Sequence, residues 1–156
     1  MNLGIIFAIS GAVIAVIMAG IGSIFGVKLI GEIGAGVISE DPEKFGKILL
    51  LEALPGTQGI YGFLTAIMVM LKVGLLGGEV VVSTSVGIQL LLACLPICFT
   101  GLFSALMQAK VGAAGVNIVA KQPAASGKAL VLAAMVETYA VLGLLASVLL
   151  INGIKL

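Results

Sequence analysis

The sequence predicts an all-α membrane protein of four transmembrane helices arranged as two fused helical hairpins, and three observations predict it. Of 156 residues, 61% are hydrophobic and 10% charged, where soluble domains carry about 25% charge. The mean hydropathy is +1.31. The length leaves room for about four spans of about 20 apolar residues and for no soluble catalytic domain. Finally, the two halves repeat: Gly20 and Gly101, Ser23 and Ser104, Gly31 and Gly112, Gly34 and Gly115, and Pro42 and Pro123 each stand 81 residues apart.

The first helix is expected from about Leu3 to Ser39. It lacks a basic leading segment and a cleavage pattern, so it reads as a span and not as a signal peptide. Ala8, Ala12, Ala15, Ala19, Gly22 and Gly26 recur at steps of three and four, a bare face that lets another helix backbone approach closely in lipid. Its far end carries Lys28 and Glu32, spaced for a helical ion pair. In the charged turn that follows, Asp41 is a helix N-cap and Pro42 a first helical residue. The second helix runs to about Leu75, and Leu76-Gly77-Gly78-Glu79 turns the chain. The third helix is expected from Ser83 to Lys121, interrupted or kinked at Pro96, with a second small-residue stripe at Gly101, Ala105, Gly112 and Gly115 and with Gln108 in phase. Gln122 to Gly127 leads into the fourth helix. The first hairpin therefore occupies residues 1–76 and the second residues 77–156.

Several chemistries are excluded. There is no His and no Arg, and the net charge is +1, which leaves no imidazole metal site and no nucleic-acid footprint. Gly20, Gly22 and Gly26 follow no strand and lack the dinucleotide-binding spacing. Gly46-Lys47 and Gly127-Lys128 precede Ile48 and Ala129 where a phosphate loop needs Ser or Thr. Cys94 and Cys98 share a helix face at a spacing that is neither redox nor zinc-binding, and read as packing.

The informative residue is Glu137, a carboxylate inside the apolar run Ala129 to Ile151. An acid near mid-membrane costs roughly 2.5–3.5 kcal/mol on insertion scales and is functional by default; the bland alternative is a structural acid bonded between helices. In the repeat, Gly56 stands where the second half has Glu137, so only one hairpin carries the acid. The polar stretch Leu54-Pro55-Gly56-Thr57-Gln58-Gly59-Ile60-Tyr61 is its expected partner, with Leu54, Thr57, Gln58 and Tyr61 on one face. Pro55 removes a backbone donor and distorts the turn around it. Thr57 and Gln58 supply neutral oxygens, Glu137 a charged one, and Gln108 could supply another. Such an oxygen-only set suits a hard monovalent cation, whereas transition metals prefer nitrogen or sulfur. Glu52, Thr65 and Lys110 read as interfacial or self-bonded and stay outside the site.

Leu54-Pro55-Gly56-Thr57-Gln58-Gly59, Pro96 with Phe99-Thr100-Gly101-Leu102-Phe103-Ser104, Gln108-Ala109-Lys110, and Met135-Val136-Glu137-Thr138-Tyr139-Ala140 together resemble the K-subunit proteolipid of bacterial V-type ATPases, and the sodium-transporting members in particular. That resemblance covers essentially the whole chain. It implies a closed rotor ring of identical subunits, with the first and third helices inside and the second and fourth outside facing lipid. It implies Na+ held by Glu137, Thr57, Gln58, the Leu54 carbonyl and Gln108, with Tyr61 hydrogen-bonded to Glu137. The implied partners are a stator subunit with a membrane arginine and a central-stalk subunit at the cytoplasmic turns, and the chain itself is no enzyme, hydrolysis of ATP lying on other subunits.

The excess of Lys at one end (Lys28, Lys44, Lys47, Lys110, Lys121 and Lys128 against Lys72 and Lys155) places turns 39–47 and 121–128 in the cytoplasm and both termini outside a multi-pass cell-membrane protein. Three alternatives stay open: a ring of the same family that carries H+ only, a small secondary transporter or channel, and a purely structural assembly protein.

Overall fold

A computed structural model describes residues 2–77 and 82–156. Helix α1 spans Leu3–Glu40; α2 spans Phe45–Ala53; α3 spans Thr57–Lys72; α4 spans Thr84–Lys121; and α5 spans Ser126–Gly153. A short 3-10 turn at Leu54–Gly56 joins α2 and α3 into one second span, and others at Pro42–Lys44 and Pro123–Ala125 open the second and fourth spans. Among the described residues, four helical units, Leu3–Glu40, Pro42–Lys72, Thr84–Lys121 and Pro123–Gly153, are thus long and apolar enough to cross a bilayer. Their starts and ends repeat at the offset seen in the sequence, 81 residues.

The helix starts follow local chemistry. The Asn2 side chain accepts the Ile5 amide at 3.0 Å, and Ser83 accepts the Val86 amide at 3.3 Å, each relieving an orphan first-turn donor. Asp41 caps the Pro42 turn by accepting the Glu43 amide at 3.2 Å, as expected. Lys44 binds the first turn to the end of α4: its Nζ donates to the Ala120 carbonyl at 2.9 Å and pairs with Asp41 at 3.2 Å. The two turns therefore lie side by side at one end of the molecule. Lys28 and Glu32 form the expected ion pair at 3.5 Å.

The second and third helices differ from expectation at Lys72, at Pro96 and at Pro55. The second span ends at Lys72, short of Leu75, because Gly74 adopts a left-handed φ of 76°. The Leu75 amide then reaches back to the Met70 carbonyl at 3.0 Å and the Gly74 amide to Leu71 at 3.2 Å, a helix-terminating pattern that glycine permits. Of the expected turn Leu76 to Glu79, Gly78 and Glu79 lie outside the described residues. Helix α4 begins one residue after its Ser83 cap and runs uninterrupted through Pro96. Side chains bond the disturbed turn: Thr100 Oγ1 donates to the Pro96 carbonyl at 2.7 Å, and Ser147 of α5 accepts the Ile97 amide at 3.2 Å. The helix break occurs instead at Pro55, where Leu54–Gly56 tightens to 3-10 geometry. The fourth span has Val136 at the corresponding position and stays α-helical.

In packing, α1 and α4 lie against each other along their length, α3 flanks α1, and α5 flanks α4. The bare face of α1 is used within the chain: Ala8, Ala15 and Ala19 are wholly buried. At Gly22 an added Cβ would stand 2.7 Å from the Leu102 carbonyl oxygen, so only glycine lets these two backbones meet. One apolar cluster, containing Leu90, Ile97, Val69 and Ile151, fills the end near the termini, and a second, containing Ile30, Ile48, Leu51 and Val116, fills the end near the lysine-rich turns. The polar side chains of Thr57, Gln58, Ser104, Gln108 and Glu137 belong to neither cluster. Outward-facing Phe63, Val131, Met135, Leu142 and Leu149 are exposed, an arrangement suited to lipid or to neighbouring helices.

Candidate ion-binding site

The site forms where the break in the second span faces α4 and α5. Pro55 has no amide hydrogen and ends α2, and the tightened turn brings the Thr57 amide back to the Leu54 carbonyl. The Leu54 carbonyl is thereby drawn beside the Thr57 hydroxyl, 2.9 Å away. Thr57 and Tyr61, one turn apart on α3, both reach α5 and donate to the same carboxylate oxygen: Glu137 Oε1 lies 2.6 Å from Thr57 Oγ1 and 2.7 Å from Tyr61 Oη. Gln108 of α4 donates from Nε2 to Glu137 Oε2 at 3.3 Å. All six residues expected at the site are therefore in one cluster.

Donors and acceptors in the cluster do not balance. The Thr57 hydroxyl has one proton, yet Glu137 Oε1, the Leu54 carbonyl and Gln58 Oε1 lie 2.6, 2.9 and 3.3 Å from its oxygen. Four oxygens thus converge at the Thr57 hydroxyl, whose one proton can serve a single neighbour; Tyr61 also donates to Glu137 Oε1 and the Thr57 amide to the Leu54 carbonyl, and no Lys of the described residues pairs with Glu137. A small cation satisfies such a group of oxygens by ion–dipole contact, with the carboxylate balancing its charge.

Beneath these oxygens lies a buried amide relay. Gln58 Nε2 donates to Gln108 Oε1 at 2.7 Å and to Ser104 Oγ at 3.3 Å, and Gln108 Nε2 donates to the Ala133 carbonyl at 3.2 Å. Gln58 and Gln108 are both inaccessible to solvent. Gln108 turns its nitrogen to the carboxylate here, and its oxygen accepts from Gln58. Ser104 and the Ala133 carbonyl were not expected at the site. Ser104 did carry a signal: it stands four residues before Gln108, on the same face of α4, and repeats Ser23. Ser23 in turn accepts the Gly59 amide at 2.8 Å.

Glu137 is half-buried, and a shallow groove lined by Ala134, Glu137, Thr138, Val141 and Leu142 reaches it from the outer face of α5. Thr65 donates to the Tyr61 carbonyl of its own helix at 2.9 Å and takes no part. Lys110 is exposed and Cys94 and Cys98 are buried free thiols, all apart from the cluster.

Comparison with known proteins agrees with this architecture. The profile of the ATP synthase C-subunit family matches residues 10–69 and again residues 91–150. The V-type sodium ATPase subunit K of Enterococcus hirae is 47% identical over 150 residues, covering 96% of this chain and 93% of that protein. The A-type ATP synthase subunit K of Methanocaldococcus jannaschii is 40% identical over 144 residues, covering 92% of this chain and 61% of that protein. With the repeated hairpin, the four apolar spans and a double match across most of its length, the chain belongs to the ATP synthase C-subunit family.

Proposed function

We propose that the chain is a membrane rotor-ring subunit of a V-type ATPase that carries Na+ at Glu137, with the Leu54 carbonyl, Thr57, Gln58 and Gln108 as neutral ligands and Tyr61 holding the carboxylate. The observation that carries this reading is the convergence of four oxygens, those of Thr57, Leu54, Gln58 and Glu137, at one point. A site for protons alone needs the carboxylate and no such cluster. The name of the Enterococcus hirae relative, a sodium ATPase subunit, supports the same ion. Gln108 joins the ligands by turning its amide oxygen from Gln58 toward the ion.

The loaded site is neutral overall and can face hydrocarbon, whereas a bare carboxylate there costs several kcal/mol. Many identical subunits form the ring, and its rotation past an arginine on a stator subunit unloads and reloads each Glu137 from separate aqueous paths. The lysine-rich turns 39–47 and 121–128 face the cytoplasm and meet a central-stalk subunit, with the termini outside. The chain performs no hydrolysis. Moving one charge against the membrane potential requires about 2.3 kcal/mol per 100 mV, which ATP hydrolysis on other subunits supplies.

The test is carbodiimide labelling of the purified ring across a sodium titration at fixed pH. Sodium that occupies Glu137 protects it from modification. Labelling indifferent to sodium from pH 6 to 9 would replace the sodium reading with the proton one.

A further inference from the structure

The amide relay has a direction, and Ser104 sets it. A glutamine amide presents an oxygen on one side and two N–H donors on the other, and the two ends are nearly identical in shape. A Gln58 side chain turned end for end would fill the same space and present donors to the cation. Something must therefore fix which end faces the site.

Two backbone carbonyls of α5 do so. Ser104 Oγ lies 3.0 Å from the Val136 carbonyl oxygen, which can only accept, so the single serine proton is committed there. With its proton used, Ser104 Oγ can only accept from Gln58, 3.3 Å away, which requires the Gln58 nitrogen on that side. In the second route the Ala133 carbonyl accepts from the Gln108 nitrogen at 3.2 Å, which turns the Gln108 oxygen to Gln58 Nε2 at 2.7 Å. Both N–H groups of Gln58 are thereby used, and its Oε1 is left pointing to Thr57 at 3.3 Å. Ser104 is 6% exposed and Gln58 inaccessible, so water does not replace the missing partner. The two routes differ in permanence, because Gln108 must release Gln58 when it turns its own oxygen to the ion. Ser104 is then the anchor that remains.

We propose that Ser104 is a positioning residue for ion selectivity: it touches no cation, but holds the Gln58 amide with its oxygen toward the site in the loaded state. This rests on the sodium reading above and adds to it a residue outside the ligand set.

The experiment uses the assembled ring in detergent, with carbodiimide labelling of Glu137 titrated against sodium and, without sodium, against pH, for wild type, Ser104→Ala, Gln58→Leu and the double variant. Ser104→Ala is expected to raise the sodium needed for half-protection about threefold to tenfold, the range of one neutral hydrogen bond. The sodium-free pH profile stays in place, because proton uptake by Glu137 does not use Gln58. In the Gln58→Leu background the serine change adds less than about twofold, since two residues acting through one contact are non-additive. Unchanged sodium protection in Ser104→Ala, an equal shift in both backgrounds, an equal shift of the pH profile, or failure of the Ser104→Ala ring to assemble would each overturn the proposal. Absence of sodium protection in the wild type is a different result, which removes the sodium reading itself.

Discussion

Tyr61 and Thr57 donate to one and the same oxygen of Glu137, from 2.7 and 2.6 Å, yet the proposed ligand set makes only Thr57 a ligand. The shared acceptor gives a way to separate holding the carboxylate from holding the ion. Tyr61→Phe removes a donor to the carboxylate and leaves every proposed ligand oxygen in place. Sodium affinity is expected to fall about twofold to tenfold, as for loss of one ordinary hydrogen bond, and sodium-free labelling of Glu137 to become faster as the carboxylate gains freedom. A sodium titration of labelling reads both. A loss as large as that of Thr57→Ala would make the tyrosine oxygen a ligand.

Removing a neutral ligand has a larger effect. Thr57→Ala, Gln58→Leu and Gln108→Leu each delete one oxygen while sparing Glu137. By analogy with an unmade hydrogen bond to a charged group, the cost is about 1.5–3 kcal/mol, or roughly tenfold to a hundredfold in sodium affinity. Proton uptake should suffer less in all three. Protection unaffected by Gln108→Leu would leave Gln108 as a donor to Glu137 and nothing more.

Glu137→Gln keeps the side chain's shape and deletes its charge. The ring is expected to assemble normally and coupled transport to be lost completely. Ion pumping at the wild-type rate in vesicles containing this variant would remove Glu137 from the transport cycle.

Contacts within the chain rank the members of the small-residue stripes by how little enlargement each tolerates. At Gly22 a methyl meets the Leu102 backbone, its oxygen at 2.7 Å and its Cα at 2.9 Å, neither of which can move aside. At Gly112 the nearest atom is the Ile30 Cδ1, the tip of a flexible side chain, at 2.5 Å. Overpacking against backbone costs about 1–3 kcal/mol or more, so Gly22→Ala should reduce the yield of detergent-resistant oligomer well below that of Gly112→Ala. Equal yields on a denaturing gel would contradict the close approach of α1 and α4.

Lys44→Met removes the bond to the Ala120 carbonyl, a loss of about 0.5–1.5 kcal/mol, while the ion pair with the exposed Asp41 adds little. The ring should melt a few degrees lower with its sodium titration unchanged. A shifted titration would mean that the paired turns communicate with the site.

Much of this site was legible because a membrane makes polar residues conspicuous. Against an apolar background, Glu137 and the face formed by Leu54, Thr57, Gln58 and Tyr61 mark themselves, and helical spacing places them together. Gln108 was visible by its phase along the α4 stripe. Ser104 carried only its place four residues before Gln108 and its repeat of Ser23, because a serine among glycines and alanines reads first as one more small packing residue. The direction of the Gln58–Gln108 relay cannot be read from spacing at all, since it depends on which backbone carbonyls lie opposite. Gly74 escaped notice beside Gly77 and Gly78, although one left-handed residue is enough to stop a helix. Pro96 and Pro55 look alike in sequence, but α5 supplies Ser147 to the first and the second sits where no such partner spares the turn.

The two hairpins share one acid: the second span has Gly56 where the fourth has Glu137. In a rotor this is a gear ratio. Compared with a wheel of equal circumference bearing an acid in every hairpin, each revolution delivers half the ions, and the same chemical work is concentrated on each. At about 2.3 kcal/mol per charge per 100 mV, doubling the work behind each ion doubles the gradient at which the machine stalls. One such carboxylate per two hairpins thus trades throughput for torque, suiting the wheel to raising a steep gradient.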